Sequence, residues 1–106
     1  MKKSLVVLSL FVVVALVALG IVFSHRGYTG MVSEVKGVRS GVLIDMDGHY
    51  PNQAMTLFVP RSTLARWSES HPGWPAVGTR VRAIGPVTEY RGRPEIVITD
   101  PAQVTW

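Results

Sequence analysis

Tyr90-Arg91-Gly92-Arg93-Pro94 sets one phenol ring and two guanidinium groups around a glycine. Arginine pairs bidentately with phosphate or carboxylate, and a tyrosine face can stack on a base, so this spacing suits a grip on an anionic polymer. The same residues also read as a solvated turn in which Gly92 takes a positive φ and the arginines only flank it. Arg80 and Arg82 alternate with Val81 and Ala83. On a strand they would project from one face together, as solvated charges or as the extension of a basic stripe through Arg91 and Arg93. Tyr50-Pro51-Asn52-Gln53 offers a ring and two amides to a binding edge, with Tyr50 and Asn52 as the candidate contacts. Pro51 and Asn52 are equally ordinary turn formers that would set the register of a following strand.

Other chemistry finds little support. His25, His49 and His71 are scattered, without the i, i+4 spacing of a metal-binding pair. Asp45 and Asp47 precede Gly48 like the start of a calcium loop, but the later ligands are missing, and a charged, solvated turn accounts for them. Cysteine is absent, which excludes a disulfide framework, thiolate metal sites and lipid attachment to an N-terminal cysteine. The expectation is a protein with no catalytic residues, no metal and no cofactor. Trp67 and Trp74 read as core and loop-packing anchors, because each large ring supplies much of a small core.

These residues follow an apolar run. Residues 5–23 carry no charge and are broken only by Ser9 and Gly20. As a helix they would reach roughly 28 Å, close to the ~30 Å hydrocarbon core of a bilayer. The run exceeds the usual apolar region of a signal peptide and lacks an Ala-x-Ala site, so it reads as a retained single-pass anchor. Val22-Phe23-Ser24 leaves a cleaved signal, and hence a secreted or periplasmic product, as the alternative. Lys2 and Lys3 precede the run and only Arg26 closely follows it, which places the N-terminus in the cytoplasm and residues 27–106 outside. The expected organisation is therefore an anchor or signal segment over 1–26 and an extracytoplasmic domain over 27–106.

That domain is large enough for one small core. From Gly27 onward eight Lys/Arg face seven Asp/Glu, so it is nearly neutral and lacks the broad positive field typical of phosphate-driven nucleic-acid binding. Along it, the pattern predicts strands over about 29–36 and 42–44, the latter ended by Asp45-Met46-Asp47-Gly48. A third follows at 55–59, where Met55, Leu57 and Val59 alternate with Thr56 and Phe58. A short helix follows, capped by Ser62 and burying Leu64, Ala65 and Trp67. The fourth strand is expected over about 80–87 and the fifth over 95–99. The predicted core comprises Val32, Val42, Ile44, Leu57, Val59, Leu64, Val81, Ile84, Ile96 and Ile98.

Three strands, a helix, then two more strands is the order of the OB-fold, a small five-stranded Greek-key barrel whose closure protects its strand edges. The fold class expected is thus all-β, preceded by a transmembrane helix. At the residue level, Tyr50-Pro51-Asn52-Gln53, the phrase Val77-Gly78-Thr79-Arg80-Val81-Arg82-Ala83-Ile84-Gly85, and Tyr90-x-Gly92-x-Pro94-x-Ile96 followed by Asp100-Pro101-x-Gln103 resemble bacterial OB-fold domains of the nucleic-acid-binding type. The resemblance covers about residues 28–105 and speaks to the fold subtype more than to the ligand. Thermonuclease-type enzymes share such a barrel, but Glu34, Arg39 and Asp45 do not form their acidic and arginine site. Haem chaperones of cytochrome c maturation also resemble an anchor plus external barrel. Their C-terminal histidine and tyrosine are lacking in Asp100-Pro101-Ala102-Gln103-Val104-Thr105-Trp106. The expectation is a non-catalytic binding module at the inner membrane, held there by its N-terminal helix, and the resemblance implies single-stranded DNA or RNA as its ligand. The alternatives are a protein-interaction or structural module in a bacterial envelope assembly, and oligosaccharide binding on the same barrel face.

Overall fold

A single long strand organises the sheet. β1 (Gly27–Val38) pairs antiparallel with β4 (Arg80–Ile84) through its first five residues and with β2 (Gly41–Met46) through its second half. The register shifts between Val32 and Glu34, leaving Ser33 as an extra residue. Such a bulge bends a strand and steepens its twist, which lets one strand serve two partners in different directions. The Ser33 hydroxyl accepts from the Gly48 amide at 2.9 Å, so the bulge is also tied to the loop after β2. The computed structural model describes residues 27–106, and the expected span at 5–23 lies outside them. Within the described residues no helix is long and apolar enough to cross a membrane.

β2 continues antiparallel to β3 (Met55–Pro60), and β3 runs parallel to β6 (Arg93–Val97), which pairs in turn with β5 (Thr88–Tyr90). β7 (Val104–Thr105) adds to β4, giving the order β5-β6-β3-β2-β1-β4-β7. Among the described residues the architecture is all-β with one short helix, but it has seven strands rather than the expected five. The expected fourth strand is cut in two at Gly85-Pro86: Pro86 has no N–H to give a ladder, and Gly85 sits at φ 151°. Its halves lie near opposite ends of the strand order, although only residues 85–87 separate them. Three linking residues reach little more than about 10–14 Å, so the sheet must roll until its two ends approach.

At the tight β1–β2 turn, Gly41 holds φ 155° and a Cβ there would meet the Val59 carbonyl oxygen. Only glycine allows that approach.

The helix differs from expectation in its details. α1 (Arg61–Leu64) starts after Pro60 with no side-chain cap, so Ser62 does not cap it. It lasts one turn and passes into a 3₁₀ turn at Trp67–Glu69. Thr63 and Trp67, four apart, form the buried face; Leu64 is half-buried and Ala65 exposed. The Thr63 hydroxyl donates to the Ile98 carbonyl at 2.7 Å, pinning α1 to the chain after β6.

The core gathers Val32, Ile44, Leu57, Val59, Val81, Ile96 and Ile98, with Val42 and Leu64 packed at its margin. Met46, Met55, Trp67, Ala83 and Val104 complete it. Ile84 does not belong: it is 46% exposed. Strand period explains this, because Val81 and Ala83 point inward and the next residue must point out.

After β6, a second 3₁₀ turn (Pro101–Gln103) is closed by reciprocal side-chain bonds. Asp100 Oδ1 accepts from the Ala102 amide at 2.9 Å, and Gln103 Oε1 accepts from the amides of Thr99 and Asp100 at 2.8 and 2.9 Å. Gln103 Nε2 then donates to the Ile84 carbonyl at 2.8 Å. The Asp-Pro-x-Gln phrase thereby fastens the C-terminal segment to the end of β4.

Candidate functional site

Alternation divides the residues of β2, β3 and β6 between two faces. Ile44 and Met46, Met55 and Leu57, and Ile96 go to the core, leaving Leu43, Asp45, Thr56 and Glu95 on the other side. The register puts Asp45, Thr56 and Glu95 in one row across the three strands. This row floors a cleft of about 220 Å³. Lys36 enters from β1, Gln53 and Tyr50 from the segment before β3, and Tyr90, Arg91, Arg93 and Pro94 from the β5–β6 hairpin.

The rim is cationic and aromatic. The Arg93 guanidinium lies 4.9 Å from the centre of the Tyr50 ring, and Lys36 Nζ lies 5.6 Å from it. Arg91 lies 5.2 Å from the centre of the Tyr90 ring. These distances are those of cation–π attraction, so each ring is already oriented by a charge. Tyr50 is 60% and Tyr90 55% exposed. Arg93 Nε also donates to the Pro51 carbonyl at 3.2 Å, which locks the cis Tyr50-Pro51 unit against the β5–β6 turn. That turn is tight: Arg91 at φ 52° and Gly92 at φ 78° both occupy the left-handed region.

The floor is acidic and hydrogen-bonded. Asp45 is only 3% exposed, so the reading of Asp45 as part of a solvated turn is corrected: it remains on β2, paired with Thr56 of β3. The Thr56 hydroxyl donates to Asp45 Oδ1 at 3.0 Å, and Gln53 Nε2 donates to Thr56 Oγ1 at 3.0 Å. Gln53 Oε1 has no hydrogen-bond partner among the described residues. Partial burial raises the carboxyl pKa of Glu95 above its ordinary value.

Of the residues singled out by the sequence, Tyr50, Tyr90, Arg91 and Arg93 share this cleft. Asn52 is exposed and does not line it. Arg80 and Arg82 lie elsewhere, on the outward face of β4 beside the first half of β1, where Arg82 Nη1 approaches Thr29 Oγ1 at 3.5 Å. Lys36, Thr56, Asp45 and Glu95 are not among the expected site residues, whereas Gln53 is one of the two amides that the Tyr-Pro-Asn-Gln phrase offers to a binding edge. The two-residue period does mark positions 43, 45 and 56 as facing away from the core, and that is the signal that finds them.

Two further clusters lie outside the cleft. Asp47, at φ 55°, accepts from the Tyr28 hydroxyl through Oδ2 and from the Met31 amide through Oδ1 at 3.0 Å. Burial and the adjoining carboxylate push the Tyr28 phenol up to about 12, while the phenol and amide donors lower the Asp47 pKa. This clip holds the loop after β2 to β1, and it leaves Asp47 no role as a free turn charge. The second cluster is aromatic. Trp74 stacks on Trp67 at 4.2 Å, and His71 lies 4.5 Å from both Trp67 and Trp106. His71 Nε2 meets the Pro101 carbonyl at 2.9 Å, which requires the proton on that nitrogen. Among the described residues no three of His, Asp and Glu are placed to hold a metal ion.

The cleft therefore offers stacking and anion contacts at its rim and hydrogen-bond acceptors at its floor. No protein-family model matches the chain, and no curated protein matches it, so the reading of the cleft rests on its own chemistry.

Proposed function

We propose that the protein is a membrane-anchored, extracytoplasmic OB-fold module that binds single-stranded nucleic acid and catalyses no reaction. The observation that carries this reading is the meeting of Tyr50 and Tyr90 with Lys36, Arg91 and Arg93 on one cleft. Exposed rings beside cations are what a sequence-tolerant grip on a single strand needs: faces for bases and charges for phosphates. The strand order supports the barrel. If β4 and β5 are counted as two halves of one broken strand and β7 as an addition, β1 flanked by β2 and β4, with β3 parallel to β6, is the OB arrangement. The cleft then occupies the face of strands two and three together with the last hairpin, where such barrels hold oligomers. The apolar run at 5–23 supports the anchor, and the Lys2-Lys3 flank supports an external domain.

The test uses the full chain in mild detergent and a fluorescently labelled single-stranded oligonucleotide, titrated at several salt concentrations. Binding should weaken with salt, and Arg91→Ala with Arg93→Ala should flatten the log–log slope by about 0.7 for each phosphate that is no longer neutralised. Tyr90→Ala should cost about 1–3 kcal/mol if a base stacks there. No binding at low salt, where electrostatic affinity is greatest, would overturn the reading. The near-neutral charge of residues 27–106 would then favour a protein-contact module of the envelope.

A further inference from the structure

Hydrogen-bond direction gives the cleft floor a polarity. The Thr56 hydroxyl has one proton, and it is committed to Asp45 Oδ1. Thr56 Oγ1 must therefore accept from Gln53, which fixes the Gln53 amide with Nε2 toward Thr56. The reverse orientation would set the Gln53 carbonyl oxygen against an oxygen with no proton to give. The charge on Asp45 thus determines, two bonds away, that the group left over is an acceptor. Gln53 is only 9% exposed and lines the cleft, and among the described residues its Oε1, itself almost without solvent contact, is unpartnered. A buried acceptor without a donor is costly, and a ligand N–H that reaches it relieves that cost. Beyond Thr56 in the same row stands Glu95, a second carboxylate on the floor.

We infer that this acceptor floor, built from Asp45, Gln53 and Glu95, selects bases that present an amino group, and so prefers cytosine to uracil or thymine. The inference rests on the nucleic-acid reading above and names the ligand edge that the same site takes. Cytosine carries a 4-amino donor where uracil and thymine carry a 4-carbonyl acceptor, and carboxylates are the side chains that accept from that amino group. At the rim, phosphates and ring faces are alike for all pyrimidines, so Lys36, Arg91, Arg93 and the two tyrosines supply affinity without choosing. At the floor, a carbonyl would meet the carboxylate oxygens of Asp45 and Glu95 and the Gln53 amide oxygen, with only the second N–H of Gln53 Nε2 to answer it. A site built to bond one donor rejects the analogue that lacks it, because its own polar groups are left unpaired.

The experiment measures the full chain in mild detergent against labelled oligodeoxycytidine and oligodeoxyuridine of equal length, at neutral pH and low salt. Deoxyuridine removes the methyl group that would confuse a comparison with thymidine. Oligodeoxycytidine should bind roughly 5- to 100-fold more tightly, the discrimination expected of a good base-edge contact. Glu95→Gln supplies an amide that can donate, and Gln53→Leu deletes the orphan acceptor; each should shrink the preference by loosening deoxycytidine binding more than deoxyuridine binding. Circular dichroism confirms that the variants are folded, and a misfolded Gln53→Leu leaves the isosteric Glu95→Gln as the deciding variant. Equal affinity for the two oligonucleotides, a preference for deoxyuridine, or a preference unchanged in folded Glu95→Gln overturns this inference while leaving the nucleic-acid reading in place. Failure to bind either overturns both.

Discussion

Ile84 and Ile96 are the same residue type on strands of the same sheet, yet their truncation should separate them sharply. Ile96 is fully buried as the fourth of the five residues of β6, directly beside Leu57 of β3. Removing three of its carbons forfeits their transfer free energy and leaves a cavity between β3 and β6, a loss of about 2–5 kcal/mol. A domain of this size has about 5–15 kcal/mol in all and loses roughly 4–8 °C of melting temperature per kcal/mol. Ile96→Ala should therefore melt about 10 °C or more below the parent. Ile84, nearly half exposed on the outer face of β4, has little water-free surface to lose. Ile84→Ala should stay within about 1 kcal/mol and shift melting by only a few degrees. Thermal unfolding followed by far-ultraviolet circular dichroism reads both. Equal shifts for the two variants would refute the inward and outward assignments on β4 and β6 together.

Gln103→Ala should hand the Thr99 and Asp100 amides and the Ile84 carbonyl over to water, lowering stability by about 0.5–1.5 kcal/mol, with hydrogen exchange of the Thr99 and Asp100 amides accelerated before the rest of the sheet. Because the folded Tyr28 phenol titrates at about 12 and the unfolded one near 10, only the unfolded state ionises between those values. Stability should accordingly fall as pH rises through that window, and Tyr28→Phe should lose that part of the alkaline decline in denaturant titrations. Asp47 has the opposite sign: its lowered pKa supports the fold above the ordinary carboxylate range and the support is lost on acidification, so Asp47→Asn should show a shallower acid decline than the parent.

The sequence made some of this architecture readable and concealed the rest for physical reasons. β3 is plain because Met55, Leu57 and Val59 keep a strict two-residue period, with Thr56 and Phe58 between them and Pro60 at the end. β2 was only partly visible, since it is covered on both faces and its alternation is masked; Asp45 looked like the opening of the Asp-x-Asp-Gly turn because its partner, Thr56, lies on the next strand. The break at Gly85-Pro86 was present in the residues, but Val87 beyond it suggested a continuous apolar period. Ile84 departs from the expected core because the strand period that Val81 and Ala83 set outweighs the apolar character of one side chain. In the cleft, Tyr90, Arg91 and Arg93 are neighbours in the chain and could be read as a group. Lys36 and Tyr50 reach them through the β1–β2 and β3–β6 pairings, and long-range pairing leaves no local trace.

The aromatic stack around His71 decides what light can report about this protein. Its three tryptophans, Trp67, Trp74 and Trp106, all sit in that one cluster, and none lines the cleft. Tryptophan emission is therefore a local gauge of the junction between the 3₁₀ turn after α1, the loop that follows it, and the last residue of the chain. Occupation of the cleft should be nearly silent in that signal and visible instead through Tyr50 and Tyr90. During unfolding, loss of the Trp106 stack would register as an early change in emission while the sheet's circular dichroism is still intact, so a gap between the two transitions would time the release of the C-terminus from the rest of the fold.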